Sequence, residues 1–236
     1  GQLSEVEVRR FHDGYRALGA NVEAGLVQRA WAKRLLLRAF VTDYDKQLQS
    51  NYLMTVPYGE ASYGERSAGA SLRYQVDLTP RLGLEALAGD TYTRGHFLDL
   101  TSWVYDWYGR CVRQRTQPGE TDTRPHDSLS WSQSGYGRVH MTYRPAQGHT
   151  VRLTAAPTYF ARTGQERAQL DPSLRDPLSA ERRLLTWVNG LEYQSDLLAD
   201  RLQTILFAKQ YLQRLASEEP TTASTFRRRE RTTPVS

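Results

Sequence analysis

The sequence predicts an all-β fold: an antiparallel up-and-down transmembrane β-barrel segment of roughly eight long strands, with short periplasmic turns and long extracellular loops. Three observations predict it. The candidate strands alternate apolar and polar residues over a dozen or more positions, where soluble strands usually run about 5–6 residues. Short connections near residues 28–33, 77–81, 145–149 and 195–200 alternate strictly with long ones at 45–63, 98–129, 163–183 and from 215 onward. No run approaches the ~18 apolar residues of a spanning helix, a test that a barrel evades because half of each strand is polar. A soluble sandwich gives no reason for such regular loop order.

The hairpin Gly64–Phe97 carries the pattern most clearly. Ala68, Ala70, Leu72, Tyr74, Val76 and Leu78 alternate with Ser67, Gly69, Ser71, Arg73, Gln75 and Asp77. After the turn at 77–81, Leu82, Leu84, Ala86 and Ala88 alternate with Arg81, Gly83, Glu85 and Gly89. Before it, Gln2–Arg10 reads as extended and Tyr15–Val27 as a strand with Leu18, Ala20, Val22, Ala24 and Leu26 on one face. Arg34–Tyr44 returns. Glu23–Phe40 also has a helical stripe through Leu26, Ala30, Lys33 and Leu37, but the preceding glycines and the ending Phe40-Val41-Thr42 favour strands.

Beyond the central hairpin, Trp131–Arg144 and Thr150–Arg162 form the next pair. Pro157 predicts a bulge or an unpaired position, because proline has no N–H for the ladder. The 164–183 connection contains a short helix capped by Ser179. Leu184–Gln194 and Leu202–Arg214 close the series, and Ala216–Ser236 reads as a polar tail. Residues 1–236 form one partial barrel domain in this reading, with both termini on the long-loop side and whole hairpins missing.

Composition bounds the function. Mean hydropathy is −0.64. Net charge is +5, with no basic stripe interleaved with stacking aromatics, so nucleic acid is not an expected partner. The one cysteine, Cys111, excludes an internal disulfide framework. The five histidines do not stand at metal-ligand spacing, and no metal or other cofactor is expected. Asp43-Tyr44-Asp45 lacks the glycine and terminal glutamate of a calcium loop. Ser134 and His140 share a face, yet lie some 20 Å apart along one extended strand, too far for a nucleophile and its base. The chain is not expected to be an enzyme.

Parity assigns the faces. Arg38, Arg73, Glu85, Arg138, Arg152 and Glu192 fall on the polar, lumen-facing side. Trp31, Tyr74, Tyr143 and Tyr193 form a girdle near the short turns, and Tyr92, Tyr159 and Trp187 one towards the long loops, where amphipathic rings meet lipid headgroups. The best binding loop holds Trp103, Tyr105, Trp107 and Tyr108 with Arg110, Arg113 and Arg115: rings stack on sugars or planar chelates, and guanidinium groups pair with carboxylates or phosphates. Tyr52, Tyr58 and Tyr63 form a weaker group. Arg227-Arg228-Arg229 could touch lipopolysaccharide phosphates or be a solvated run.

Three segments carry a family resemblance: Val8-Arg9-Arg10-Phe11-His12-Asp13-Gly14-Tyr15, Arg38-Ala39-Phe40-Val41-Thr42-Asp43-Tyr44 and Asp176-Pro177-Leu178-Ser179-Ala180-Glu181-Arg182. They resemble barrel segments of TonB-dependent outer-membrane receptors. The resemblance implies a bacterial outer-membrane location and a large barrel of about 22 strands around a plug. It implies lipid and lipopolysaccharide as surroundings, and a TonB complex engaged through the plug region, which is not seen here. It also implies import of a scarce nutrient such as a ferric siderophore, cobalamin or an oligosaccharide. A passive outer-membrane channel or surface-binding barrel, and a soluble β-rich binding protein, are the alternatives.

Overall fold

Alternation at period two gives each strand one apolar and one polar face, and hydrogen bonding then lines up like faces across the sheet. The computed structural model describes residues 7–122, 124–168, 171, 176–197, 201–218 and 225–232, with the side chains of 218 and 225–232 left aside. It is all-β. The strands are β1 (Tyr15–Arg29), β2 (Ala32–Gln47), β3 (Ser62–Thr79), β4 (Leu82–Asp99), β5 (Trp103–Tyr105), β6 (Cys111–Gln114), β7 (His126–Tyr143), β8 (His149–Glu166), β9 (Arg182–Leu197), β10 (Leu202–Glu218) and β11 (Thr225–Thr232). Nine form one antiparallel sheet in the order β1-β2-β3-β4-β7-β8-β9-β10-β11, and β5-β6 is a separate hairpin between β4 and β7. The sheet is up-and-down and open: among the described residues, β1 and β11 are its edges.

The 23–40 segment is the β1–β2 hairpin, which reverses at Ala30-Trp31, with Gln28 at φ 55° near the end of β1. Most strands run several residues beyond the apolar stretch. β8 reaches Glu166 and β7 starts at His126, because backbone pairing continues after the alternation has faded. β11 lies in the stretch read as a polar tail. Its backbone pairs with β10 from Tyr211↔Thr232 to Glu218↔Thr225, so ladder bonding, not apolar pattern, makes it a strand. Pro157 causes no register shift. Pairing with β7 lapses between Tyr136↔Thr158 and Val139↔Ala155 and resumes in register. Gly137 stands opposite, and a Cβ there would lie 3.2 Å from the proline Cγ. The short helix is a 3-10 turn, Pro177–Ser179, capped by Asp176 instead of Ser179. The Asp176 carboxylate accepts the Leu178 N–H, and Ser179 is the last residue of the turn.

The register assembles an apolar face, interrupted by Asp90 on β4 and by Asn189 and Gln210 on β9 and β10. One row across it reads Leu35, Tyr74, Ala86, Val139 and Ala155, and another Ala24, Leu37, Leu72, Ala88. On β3 this band runs from Ala68 to Val76, roughly 27 Å along the strand. Among the described residues no second layer covers it. Leu18 is 76% exposed, Val22 64%, Leu37 54% and Val139 45%. A sheet normally buries its apolar face against another layer. Here the buried apolar residues among those described, including Ala32, Tyr58, Ala61 and Leu129, lie at the ends of the strands.

The six aromatic residues Tyr74, Tyr92, Tyr143, Tyr159, Trp187 and Tyr193 all fall on the apolar face, and the Tyr74 hydroxyl donates to the Trp31 carbonyl at 2.6 Å. Arg38, Arg73, Glu85, Arg138, Arg152 and Glu192 all fall on the opposite face. That face is tied by polar contacts, among them Arg152 with Glu192 and Gln75 to Glu85 at 2.6 Å. Rings lie over its glycines: a Cβ at Gly89 would meet the Tyr136 ring at 2.7 Å, and one at Gly69 the Phe40 ring at 2.7 Å.

Candidate functional site

The long connections gather at one end of the sheet. They fold around side-chain oxygens that accept backbone N–H groups, satisfying donors that would otherwise be buried unpaired. Asp99, 1% exposed at the end of β4, accepts the N–H groups of Glu120 and Thr121 and the Thr121 hydroxyl. Glu120 accepts the N–H groups of Gly59, Glu60 and Ala61 at 2.5, 2.7 and 2.8 Å. Gln49 Oε1 takes those of Phe11 and His12, and His12 Nε2–H donates to the Ala61 carbonyl at 2.8 Å. Two loops, the end of β4 and the segment before β1 thus form one cap. Tyr58 is buried in it, and burial, with Asp99 and Glu120 nearby, pushes its hydroxyl pKa up.

The β5–β6 hairpin stands on this cap. The Tyr105 hydroxyl donates to Glu60 at 2.6 Å, and its ring lies 6.1 Å from that of Phe11. Burial first, and the bond to Glu60 next, raise the Tyr105 pKa. The tip is closed by Asp106, which accepts the Tyr108 and Arg110 N–H groups and pairs with the Arg110 guanidinium. Gly109, at φ +76°, takes the left-handed conformation the turn demands. The Arg110 N–H and guanidinium hold the Asp106 carboxyl below its usual range.

The predicted binding residues therefore divide. Tyr105 is a structural strut, Arg110 lies 5.0 Å over the Tyr108 ring and serves the tip, and the Arg115 guanidinium turns back to the Gly119 carbonyl. Trp103, Tyr108 and Arg113 are exposed. Trp107 instead lines a groove of about 330 Å³ with Arg9, Arg10, Lys46 and Met54. Its cationic neighbours come from the segment before β1 and from the end of β2, not from its own loop. Gln49 also borders this groove, and its buried Nε2 has no partner.

A larger groove, about 690 Å³, lies on the polar-face side of the same end. Tyr63, Phe97, Ser128 and Glu166 come to it from one register row, Ser130 from the next row of that face and Arg162 from the one after. Pro177 and Leu178 border it from the β8–β9 connection. Glu166 holds this wall, accepting the N–H groups of Asp127 and Ala168, the Ser128 hydroxyl and, at 3.2 Å, His126 Nδ1. Rings, the Ser130 hydroxyl and the Arg162 guanidinium stand beside the carboxylates of Glu166, Asp171 and Asp176, a lining that suits a polar ligand with a planar or sugar-like body. Sequence reasoning missed this groove. Its residues come from four strands and two loops, and the signal was a cluster of ring and hydroxyl residues at the polar-face parity of the strand ends.

Among the described residues, no group of three or more His, Cys, Asp or Glu could hold a metal ion. No helix among them is long and apolar enough to cross a membrane, a test that does not bear on strands. No family model, curated protein or solved structure matches the chain.

Proposed function

We propose that this chain is part of an outer-membrane receptor barrel of the TonB-dependent kind, binding a scarce nutrient at its long-loop end and importing it with TonB-supplied energy. The observation that carries the membrane reading is the apolar band: contiguous over neighbouring strands, uncovered, and backed by a face of charged and hydroxyl side chains. Lipid on one side and a wet lumen on the other give that division a purpose. The two grooves at the long-loop end, one with Trp107, Arg9 and Lys46, the other with Tyr63, Phe97 and Arg162, support a mouth for an anionic chelate or a sugar. The family resemblance of the three segments supports the energised step.

Fractionation of cells expressing the full-length protein tests the location. Recovery only from detergent-solubilised outer membrane is expected; recovery from buffer alone would favour a soluble β-rich protein. Uptake is tested with Trp103→Ala and Trp107→Ala and with a protonophore. Loss of uptake on dissipating the proton-motive force is expected, whereas persistence would favour a passive channel. Unchanged affinity and uptake in both tryptophan variants would remove that hairpin from the ligand site.

A further inference from the structure

Two amides sit in the middle of the apolar face. On β9 that face reads Leu185, Trp187, Asn189, Leu191, Tyr193, and on β10 it reads Leu206, Ala208, Gln210, Leu212. Asn189 and Gln210 stand directly opposite each other. Between Arg183 and Arg214 at the long-loop edge and Ser195 and Thr204 at the short-turn edge, this face of the two strands carries no charge. Trp187 Nε1 donates to Asn189 Oδ1 at 2.6 Å, and Asn189 Nδ2 donates to Gln210 Oε1 at 3.2 Å. The chain of bonds ends there: among the described residues, Gln210 Nε2 has no acceptor.

The other polar break in this face is answered within the chain. Asp90 on β4 accepts from Gln133 Nε2 at 3.1 and 3.2 Å, and both residues lie towards the long-loop edge. The spare donors of Asn189 and Gln210 face hydrocarbon in the membrane reading, and hydrocarbon accepts no hydrogen bond. Beside them the face is hollow: Ala155 and Ala208 stand among Val139, Leu153 and Leu191 around a depression of about 430 Å³. An amide is donor and acceptor at once, so the same face on a second copy satisfies it, and two copies of one chain hold their amides at one depth in the bilayer. The face of β7 to β10 is roughly 19 Å wide and 27 Å tall, about 500 Å² on each copy. Two copies then bury about 1,000 Å², the lower bound of a specific interface, so their association is reversible.

We infer that the outer face of β8, β9 and β10 is a self-association surface, where two copies of the chain meet about a twofold axis along the membrane normal and the Asn189 and Gln210 amides of one copy hydrogen-bond with those of the other. The inference rests on the membrane reading above and is independent of the ligand mouth.

The test uses the full chain, folded in detergent and inserted into phosphatidylcholine vesicles over a range of protein-to-lipid ratios. Vesicle flotation reads insertion. Donor and acceptor dyes on Cys111, exposed and outside the band, read association by energy transfer. Transfer above the level of random mixing is expected, rising with the protein-to-lipid ratio. Asn189→Leu/Gln210→Leu should weaken association about tenfold while flotation is kept. In a Cys111→Ser chain, mild oxidation should link Ala208→Cys into dimers and leave Ala70→Cys, on the same face of β3, as monomers. Transfer no higher than random mixing, association unaltered by the double leucine variant, or equal cross-linking at the two positions would overturn the surface while leaving the membrane reading intact. A chain that does not float with vesicles would overturn both.

Discussion

Asp99 and Glu120 stand in series. Both carboxylate oxygens of Asp99 accept the Glu120 N–H, at 2.7 and 2.9 Å, and the Glu120 carboxylate then accepts three N–H groups of the loop before β3. Glu120→Ala strands those three donors in a closed space, at a cost of about 3 kcal/mol. Amides of Gly59, Glu60 and Ala61 should lose protection in hydrogen exchange while those of β3 and β4 keep theirs. Unchanged protection would mean that the loops are held by something else.

The polar face depends on rings resting over glycines. Gly89→Val drives a side chain into the Tyr136 ring, which lies 2.7 Å from where the Cβ would stand. Overpacking of this kind costs about 1–3 kcal/mol. Denaturant unfolding of the detergent-folded protein should show the loss, and Tyr136→Ala in the same chain should recover part of it. A double variant no more stable than Gly89→Val alone would count against ring packing as the cause.

Val139 faces outward in mid-band. If that face meets lipid, Val139→Arg costs about 2–4 kcal/mol of folding into vesicles. On a water-exposed sheet the same change falls within about 0.5 kcal/mol. Thr158→Arg, on the other face, is the matched control. Equal effects of the two would contradict lipid on one side only.

The cap has an alkaline limit. Tyr58 and Tyr105 both have raised pKa values, each chiefly through burial, so the folded cap holds these protons more tightly than the unfolded chain. Their contribution is fully present below the unfolded tyrosine value of about 10 and is lost as pH rises above it. Exchange of the cap amides should accelerate there, less so in Tyr58→Phe. An alkaline profile identical in that variant would exclude Tyr58 as a contributor.

The hairpin tip behaves in the opposite sense. Asp106 is held below the usual carboxylate range by the Arg110 N–H and guanidinium. The tip should keep its order as pH falls through about 3.9, the ordinary aspartate value, and loosen only below it. Trp107 fluorescence reads this, and Asp106→Asn should remove the acid transition. A transition unaltered by that substitution would place the responsible group elsewhere.

The strands and their faces were legible because each residue reports its own side through a two-residue period. Thus Leu72 against Arg73 and Leu153 against Arg152 could be assigned without knowing any partner. Pro157 was read as a bulge or an unpaired position, and it is the unpaired one, but the cap of the short helix was read less well. Ser179 and Asp176 are both good caps by type, and only the fold shows which oxygen reaches the Leu178 N–H. β11 carries no apolar alternation, so nothing in its residues announced a strand until β10 offered a ladder.

An all-β chain with long amphipathic strands, short turns alternating with long loops, and the face on which each strand residue sits were all set by residue order, because these follow from local periodicity and chain length. The tertiary structure alone decided which residues meet at the long-loop end. Trp107 joins Arg9 and Lys46, Tyr63 joins Arg162, and Arg66 meets Arg94, because such neighbours are set by inter-strand register and loop closure over many residues. Register is a property of pairs of strands, and no single strand carries it.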